Sequence, residues 1–209
     1  DYVQAAASLG IGLAFDPFNP EQKWNDRPTW QKAVLIIHLA LVAAMFGLGV
    51  GQDRKNVNKY MVNISQGGTT LGDRDYYLKD DSRSVKIRAA YDTYMTTLFK
   101  LIGYTETVAQ QKAKTVFTIE KALAEAQMSR LEMRDPYATY NKLTVAELNQ
   151  KTPDINWTTY LPKFKIKNQD TVLVSSPKFM ASLDGMLKSI PVEDWKTYLE
   201  WNILKGSAS

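Results

Sequence analysis

The sequence predicts a mainly α-helical domain that contains an antiparallel helix hairpin and a small β-hairpin. Two long apolar stripes at helical spacing, over residues 85–102 and 105–126, predict the helix hairpin. Alternation of large apolar and polar residues at Tyr60–Ile64, after the polar, turn-like stretch Gln52–Asn56, predicts the β-hairpin. Helix-start signals between residues 144 and 191 predict that the C-terminal third is also mostly helical.

Composition places the chain among ordinary globular proteins. Its 209 residues can bury one sizeable core, and 44% hydrophobic with 23% charged residues is unlike a disordered tail or a fibre. The net charge of +4 is spread among mixed charges without a polybasic block, so nucleic acid is not indicated as a partner. The absence of cysteine excludes a disulfide framework and a cysteine-based zinc site.

The N-terminal part divides into an irregular segment and an apolar run. Residues 1–28 carry Pro17, Pro20 and Pro28 among turn-forming residues, which predicts an irregular segment. Ala33–Val50 is long enough for a membrane span to be considered. Its alternating glycines near Val50 favour a buried helix followed by a short strand, with a membrane-anchored protein left as an alternative that solubility without detergent would test.

The two central helices are separated by a short connection. The first is predicted over Val85–Ile102 and ends at Gly103, a residue typical of helix C-termini. Thr105 is predicted to cap the second helix, whose apolar stripe continues toward Leu131. A short connection between two such helices predicts that they pack as an antiparallel hairpin.

Further elements are marked by local signals. Thr144 and Glu147 form a capping box, Thr171–Val174 is a short strand candidate, and helices are predicted to open at Ser176-Pro177 and Ile190-Pro191. Lys163–Lys167 alternates lysines with apolar residues; a half-buried strand with one solvated face explains this better than a nucleic-acid or membrane surface.

The chain offers no set of ligands for a catalytic zinc ion. Such a site needs about three protein ligands and an open position for water, whereas His38 is the only histidine and lies in an apolar run, where we expect a core histidine. No His-Glu-x-x-His sequence is present. Glu120, Glu125 and Glu132 are expected to face solvent or to pair with neighbouring Lys121 and Arg130. No catalytic or metal-binding residue is therefore predicted here.

A set of short blocks, in a fixed order and at similar spacing, resembles the N-terminal region of the neprilysin-like zinc metallopeptidases. Single blocks are weak signals, whereas the ordered set is specific. The blocks are Val50-Gly51-Gln52-Asp53 with Lys55-Asn56, Gln66-Gly67-Gly68, Leu71-Gly72-Asp73-Arg74-Asp75-Tyr76-Tyr77-Leu78, Arg134-Asp135-Pro136 and Tyr140-Asn141-Lys142-Leu143-Thr144.

This resemblance implies an architecture. In that family a catalytic domain with a His-Glu-x-x-His helix faces a mainly helical domain, and the two enclose a chamber for peptides. Residues 29–209 resemble part of the helical domain. The family's zinc ligands, its glutamate base and its substrate-binding strand match no positions in this sequence. Zinc is accordingly expected in the parent enzyme and not in this chain, whose partners would be peptide substrates and a catalytic domain elsewhere in the polypeptide.

The signature residues are expected to be structural. Asp73, Arg74 and Asp75 are predicted to tie their loop to neighbouring helices, rather than to act as an acid/base pair. Tyr76 and Tyr77 are predicted to bury their rings beside that loop. For the second block we expect a buried polar cluster that fixes the turn after the long helix, with direct peptide contact as the alternative; its members are Arg134, Asp135, Tyr140 and Asn141.

The leading hypothesis is that the chain is part of a zinc metalloendopeptidase, that it forms the wall of the substrate chamber, and that it is inactive alone. The alternative is a stand-alone helical interaction module without peptidase activity. The full reading frame would distinguish the two. The Leu71–Asp75 variant and the lack of cysteine resemble bacterial members of that family. The family resemblance by itself implies export to the periplasm, the cell envelope or the medium.

Overall fold

The computed structural model describes residues 26, 28, 44–164, 166 and 169–207. Within these residues the fold is mainly α-helical, with one small mixed sheet. In chain order the elements are β1 (Phe46–Asp53), β2 (Asn56–Gln66), α1 (Asp75–Leu78), α2 (Ser82–Leu101), α3 (Glu106–Ala126), a 3₁₀ turn (Glu132–Arg134), β3 (Asn141–Thr144), α4 (Val145–Lys151), α5 (Trp157–Lys163), β4 (Thr171–Val174), α6 (Pro177–Ser189) and α7 (Val192–Ser207).

The predicted β-hairpin is confirmed and belongs to a larger sheet. β1 and β2 pair antiparallel, and the sheet order is β1-β2-β4-β3. The predicted strand Thr171–Val174 is β4, which runs parallel to β2, while β3 pairs antiparallel with β4. This sheet brings the segment after α3 back to the N-terminal hairpin, so both signature blocks lie on one scaffold.

The predicted helix hairpin is also confirmed. α2 ends where Gly103 adopts φ +104°, a left-handed conformation that glycine reaches without strain. Lys100 pairs with Glu106 next to the connection, and Tyr91 contacts Glu120 farther along, so the two helices run antiparallel. α3 packs against α1, α2, α6 and α7 and is the central helix of the described domain.

The third helix is shorter than its apolar stripe suggested. It ends at Ala126 and does not reach Leu131. The cause is tertiary: the Gln66 side chain donates to the Met128 carbonyl at 3.0 Å and accepts from the Met128 amide at 2.8 Å, as a strand would. Those backbone groups are therefore satisfied by the end of β2 and not by another helical turn.

The C-terminal third is helical, as predicted, and closes the core. Thr144 and Glu147 form the expected capping box, and the Ser176 hydroxyl accepts from the Phe179 amide. The large side chains that are completely buried come from several elements, which defines a single core: Phe99, Trp157, Phe179, Tyr198 and Trp201.

The strand predicted at Lys163–Lys167 does not begin where expected, because Lys163 is the last residue of α5 and Phe164 lies in the following turn. Lys165 and Lys167 lie outside the described residues. The helix forms because the Asn156 side chain caps its start, and because Phe164 packs on the ring of Tyr160 at a centroid distance of 5.1 Å.

Some predictions fall outside the described residues. These are His38, the helix expected before Phe46, and residues 1–28 apart from Asp26 and Pro28. Among the helices that are described, none is both long enough and apolar enough to cross a bilayer.

Candidate functional site around the signature blocks

The first signature block is held against α3 by charged side chains. Arg74 donates from Nη1 to the carbonyl oxygen of Gln127, just beyond the end of α3. Asp73 pairs with Nε of Arg130 at 2.9 Å, and Asp75 pairs with Lys79 one turn later at 2.7 Å. The loop is thus fixed to the segment that follows α3, more than fifty residues later in sequence.

Tyr76 and Tyr77 differ in their surroundings. Tyr76 is half-buried, its ring lies 5.9 Å from the Arg83 guanidinium, and its carbonyl oxygen accepts from Arg88. Tyr77 is 2% exposed, and its ring stacks on Phe117 at 5.7 Å. The buried tyrosine therefore points toward the middle of α3.

At that position lies Glu120, a carboxylate that is completely buried. Its Oε2 accepts from the hydroxyls of Tyr77 at 2.7 Å and Tyr91 at 2.8 Å, and its Oε1 accepts from the hydroxyl of Thr70 at 2.6 Å. The expectation that Glu120 faces solvent or pairs with Lys121 is wrong, whereas Glu125 and Glu132 are exposed. A buried carboxylate needs such donors because its desolvation is costly.

Helix α7 completes this arrangement. Trp201 donates from Nε1 to the Thr70 hydroxyl at 3.2 Å, and Lys205 donates from Nζ to the same oxygen at 3.0 Å. One threonine thus joins a buried acid on α3 to a lysine on α7. We refer to the following residues as the Glu120 cluster: Thr70, Tyr77, Tyr91, Glu120, Trp201 and Lys205.

The direction of two hydrogen bonds in the Glu120 cluster is fixed. The Tyr77 hydroxyl already accepts from the amides of Thr70 at 3.1 Å and Leu71 at 2.9 Å, so its hydrogen can only point to Glu120. The Thr70 hydroxyl accepts from α7 twice, so it too must donate to Glu120. Only the Tyr91 hydroxyl is free to turn if Glu120 takes up a proton.

Burial dominates the electrostatics of the Glu120 cluster. Burial raises the pKa of Glu120, although its three hydroxyl partners oppose that shift. Burial, together with the charge of Glu120, raises the pKa of Tyr77 and of Tyr91. Burial lowers the pKa of Lys205, and the nearby carboxylate partly offsets that effect. The tyrosines are therefore neutral hydroxyl donors at ordinary pH.

The second signature block is not the buried cluster expected from the sequence. Arg134 and Asp135 are exposed, because this segment forms a 3₁₀ turn and tight turns on the surface. Asp135 accepts from the Tyr137 amide at 2.8 Å, a local turn contact. Burial begins only at Thr139, so Arg134 and Asp135 do not meet the first block.

Tyr140 and Asn141 do make long-range contacts. The Tyr140 hydroxyl donates to Asp53 at the end of β1, at 2.8 Å, while the ammonium group of Lys55 lies 4.3 Å from the centre of its ring. Asn141 donates to the carbonyl oxygen of Val174 at 3.1 Å. Hydrogen bonds from the Lys55 amide and from Tyr140 lower the pKa of Asp53. This side of the block is anchored to the tip of the β-hairpin.

A cavity of about 300 Å³ lies between the two blocks. Its wall combines the end of α3, the start of α6, Arg74 from the first block and Asn141 from the second. The loop that carries the second block contributes Glu132 and Ala138 to this wall and leaves two large apolar side chains in solvent: Leu131 is 77% exposed and Tyr137 is 81% exposed. The blocks thus share one anchored, partly open region.

Among the residues that the structure describes, no group of three or more His, Asp or Glu side chains is placed to hold a metal ion. The buried acid Glu120 is surrounded by three hydroxyls and a lysine, which is a hydrogen-bonded environment and not a metal-binding one.

The described fold is a helical domain around a central hairpin, to which two signature loops are attached. The N-terminal model of peptidase family M13 matches residues 4–209, and the chain belongs to that family. It is 30% identical to rat (Rattus norvegicus) endothelin-converting enzyme-like 1 over 167 residues, which cover 78% of this chain and 21% of the relative. Neprilysin-3 of Drosophila melanogaster is 29% identical over 79% of this chain and 22% of its own length.

Solved structures show the same fold. Zinc metalloprotease ZMP1 of Mycobacterium tuberculosis, in complex with an inhibitor, superposes with a TM-score of 0.73 at 24% identity, over 81% of this chain and 27% of that one. The chain therefore spans about a fifth of the curated relatives named above and about a quarter of this solved chain.

The Glu120 cluster was missed from the sequence, although a signal was present. Glu120 lies four residues after Val116 and three before Leu123, which places it on the apolar stripe that faces the core. An acid at that position must have buried partners. The sequence could not identify those partners, because Thr70, Tyr91 and Lys205 come from three separate segments.

Proposed function

We propose that this chain is the helical part of a zinc-dependent endopeptidase that hydrolyses peptides, and that it forms a wall of the substrate chamber without catalytic groups of its own. Membership of peptidase family M13 supports the reaction class. In the proposed arrangement, the zinc ion and its ligands belong to other parts of the full-length enzyme, so its chemistry is not assigned to residues here. The proposed location is outside the cytoplasm of a bacterium.

The proposed wall role rests on a contrast between the two signature blocks, because one is firmly anchored and the other lies in an exposed loop. The first block is locked to α3 and α7 through the completely buried Glu120. The loop that carries the second block leaves Leu131 and Tyr137 largely exposed, next in sequence to Glu132 and Ala138, which line the cavity. A rigid scaffold with an exposed apolar loop is suited to contact another domain and to limit the space between them.

The test compares matched variants in the full-length enzyme. Leu131→Ala with Tyr137→Ala is expected to weaken closure, so the hydrolysis of short peptides slows and the limit on substrate length relaxes. The control is Leu101→Ala at the C-terminal end of α2, where the side chain is 75% exposed. It matches the Leu131→Ala half of the pair. The control is expected to keep both the rate and the length limit.

Two results would contradict the proposal. The first is peptide hydrolysis, or stoichiometric binding of zinc, by the 209-residue chain alone. The second is an equal effect of the control and of the paired substitution on rate and length limit. Rates are measured with a series of quenched fluorescent peptides of increasing length, and zinc content by elemental analysis.

A further inference from the structure

The outer edge of β1 is unpaired within the described part of the chain. β1 is the first strand in the order β1-β2-β4-β3 and bonds to β2 on one side only. Its eight residues present a row of backbone N–H and C=O groups on the other side. The opposite edge, β3, is only four residues long and runs directly into α4.

This edge lacks the usual protection against pairing. Exposed edges are normally interrupted by charged residues, proline or a bulge. Phe46–Gln52 contains neither a charged residue nor proline, and the irregularity in its register lies at the far end, between Gln52 and Asp53. Val50, in the middle of the strand, is 64% exposed. Another strand could therefore add to β1 without any change in the domain.

One face of β1 also carries no side chains at three alternate positions, so other groups can approach its backbone closely. Gly47, Gly49 and Gly51 alternate along it and carry no side chains. A Cβ atom on Gly49 would meet no atom within 4 Å, whereas one on Gly47 would collide with the Ser65 hydroxyl. At Gly47 and Gly51 the missing side chains leave room for Ser65 and Asn63 of β2 to lie over β1.

The charge at the hairpin tip favours one kind of partner. Arg54, Lys55 and Lys59 lie at or next to the turn between β1 and β2, and the adjoining Asp53 is buried and held by Tyr140. The tip is therefore positive beside the open edge. An extended segment that ends in a carboxylate would complement both the backbone groups and this charge.

We propose that the outer edge of β1 binds extended peptides by strand addition, with an acidic C-terminus toward the basic tip. This inference rests on the proposed peptidase function, since it makes β1 a holding site for substrate away from the reacting bond. Recognition through backbone groups is largely independent of side chains, which suits an enzyme for peptides of varied sequence.

The experiment uses this chain and three fluorescent probes that share one eight-residue sequence. The first peptide has a free C-terminus, the second is amidated, and the third is N-methylated at alternate residues, so it lacks hydrogen-bond donors along one edge. We expect the first to bind, the amidated form to bind several-fold more weakly, and the N-methylated form at least about tenfold more weakly. Fluorescence anisotropy measures each affinity, and hydrogen exchange should slow at the amides of Phe46–Gln52 when the first peptide is added.

A pair of variants locates the site. Val50→Glu places a negative charge on the edge strand, where it opposes a peptide that ends in a carboxylate, whereas Val57→Glu places the same charge on β2 at a side chain that is 65% exposed, against 64% for Val50. The first is expected to weaken binding about tenfold and the second less than about twofold.

The proposal is wrong if the N-methylated peptide binds as tightly as the first. It is also wrong if the outward-facing amides of β1, those that do not bond to β2, are already protected without peptide, since another part of the chain or a second copy would then occupy the edge. These binding tests do not measure the substrate-length limit of the full-length enzyme, which tests the wall proposal. The two proposals can therefore be refuted independently.

Discussion

Replacing Glu120 by glutamine should cost more stability than the small change in shape suggests. The Thr70 hydroxyl donates to Oε1 and the Tyr77 hydroxyl donates to Oε2, and neither hydroxyl can point its hydrogen elsewhere. Whichever way a glutamine amide turns, its NH₂ group faces a hydroxyl that cannot turn away. The variant therefore loses a charge-assisted hydrogen bond and brings two donors together in a completely buried place.

The magnitude follows from these losses. A lost hydrogen bond to a charged group is worth about 1.5–3 kcal/mol, and an unsatisfied buried donor adds about 1–3 kcal/mol. We expect Glu120→Gln to lower the free energy of unfolding by about 3 kcal/mol, and Glu120→Ala by a similar or larger amount, because it also leaves Lys205 without its carboxylate. A domain of ordinary stability, about 5–15 kcal/mol, would remain folded.

Urea unfolding followed by tryptophan fluorescence gives the measurement, and Glu125→Gln is the matched control on the exposed face of the same helix. The control should change stability by less than about 0.5 kcal/mol. In a double-mutant cycle, Tyr77→Phe should cost at least about 1 kcal/mol less in the Glu120→Gln background, since its hydroxyl is one of the two conflicting donors. A Glu120→Gln protein as stable as the control would refute the assignment of forced donors.

Two further predictions concern Asp53 at the hairpin tip and the two glycines with positive φ. The pKa of Asp53 is lowered in the folded chain, so the unfolded chain takes up a proton first as the pH falls. The stability that Asp53 contributes relative to Asp53→Asn should therefore be largest above pH about 5 and should vanish at low pH. A difference that grows as the pH falls, in urea titrations at several pH values, would contradict this. Gly68 and Gly103 both have positive φ, but they differ in the space around them. A Cβ atom on Gly68 would lie 2.8 Å from the Leu123 side chain, whereas one on Gly103 would meet no atom within 4 Å. By thermal unfolding, Gly103→Ala should cost about 1 kcal/mol and Gly68→Ala at least about 1 kcal/mol more, and equal costs would show that crowding is unimportant there.

The helix hairpin could be predicted because its information is local. Apolar stripes at steps of three and four define the buried faces of α2 and α3, and Gly103 marks the connection between them. The end of α3 could not be predicted, because it depends on Gln66, which lies 62 residues from Met128 in sequence. A side chain that imitates strand pairing leaves no periodic pattern for the sequence to display.

The second block shows a different limit. Its polar residues suggested a buried cluster, yet Arg134 and Asp135 are exposed while Tyr140 and Asn141 bind the sheet. The division follows from the position of β3: once Asn141 enters the sheet, Tyr140 next to it reaches Asp53, whereas residues before Thr139 lie in surface turns. The pairing of β3 with β4 decides this, and no signal within the block itself specifies that pairing.

The Glu120 cluster links these two limits to function. A buried acid on a central helix would be costly unless several segments supplied donors. Here Thr70 before the first block, Tyr77 of α1 and Tyr91 of α2 donate to Glu120, while Lys205 of α7 donates to Thr70. These donors come from separate elements, so the native position of the loop is stabilised by the helix hairpin and by α7 together. The placement of the first signature block therefore depends on the packing of the whole helical domain.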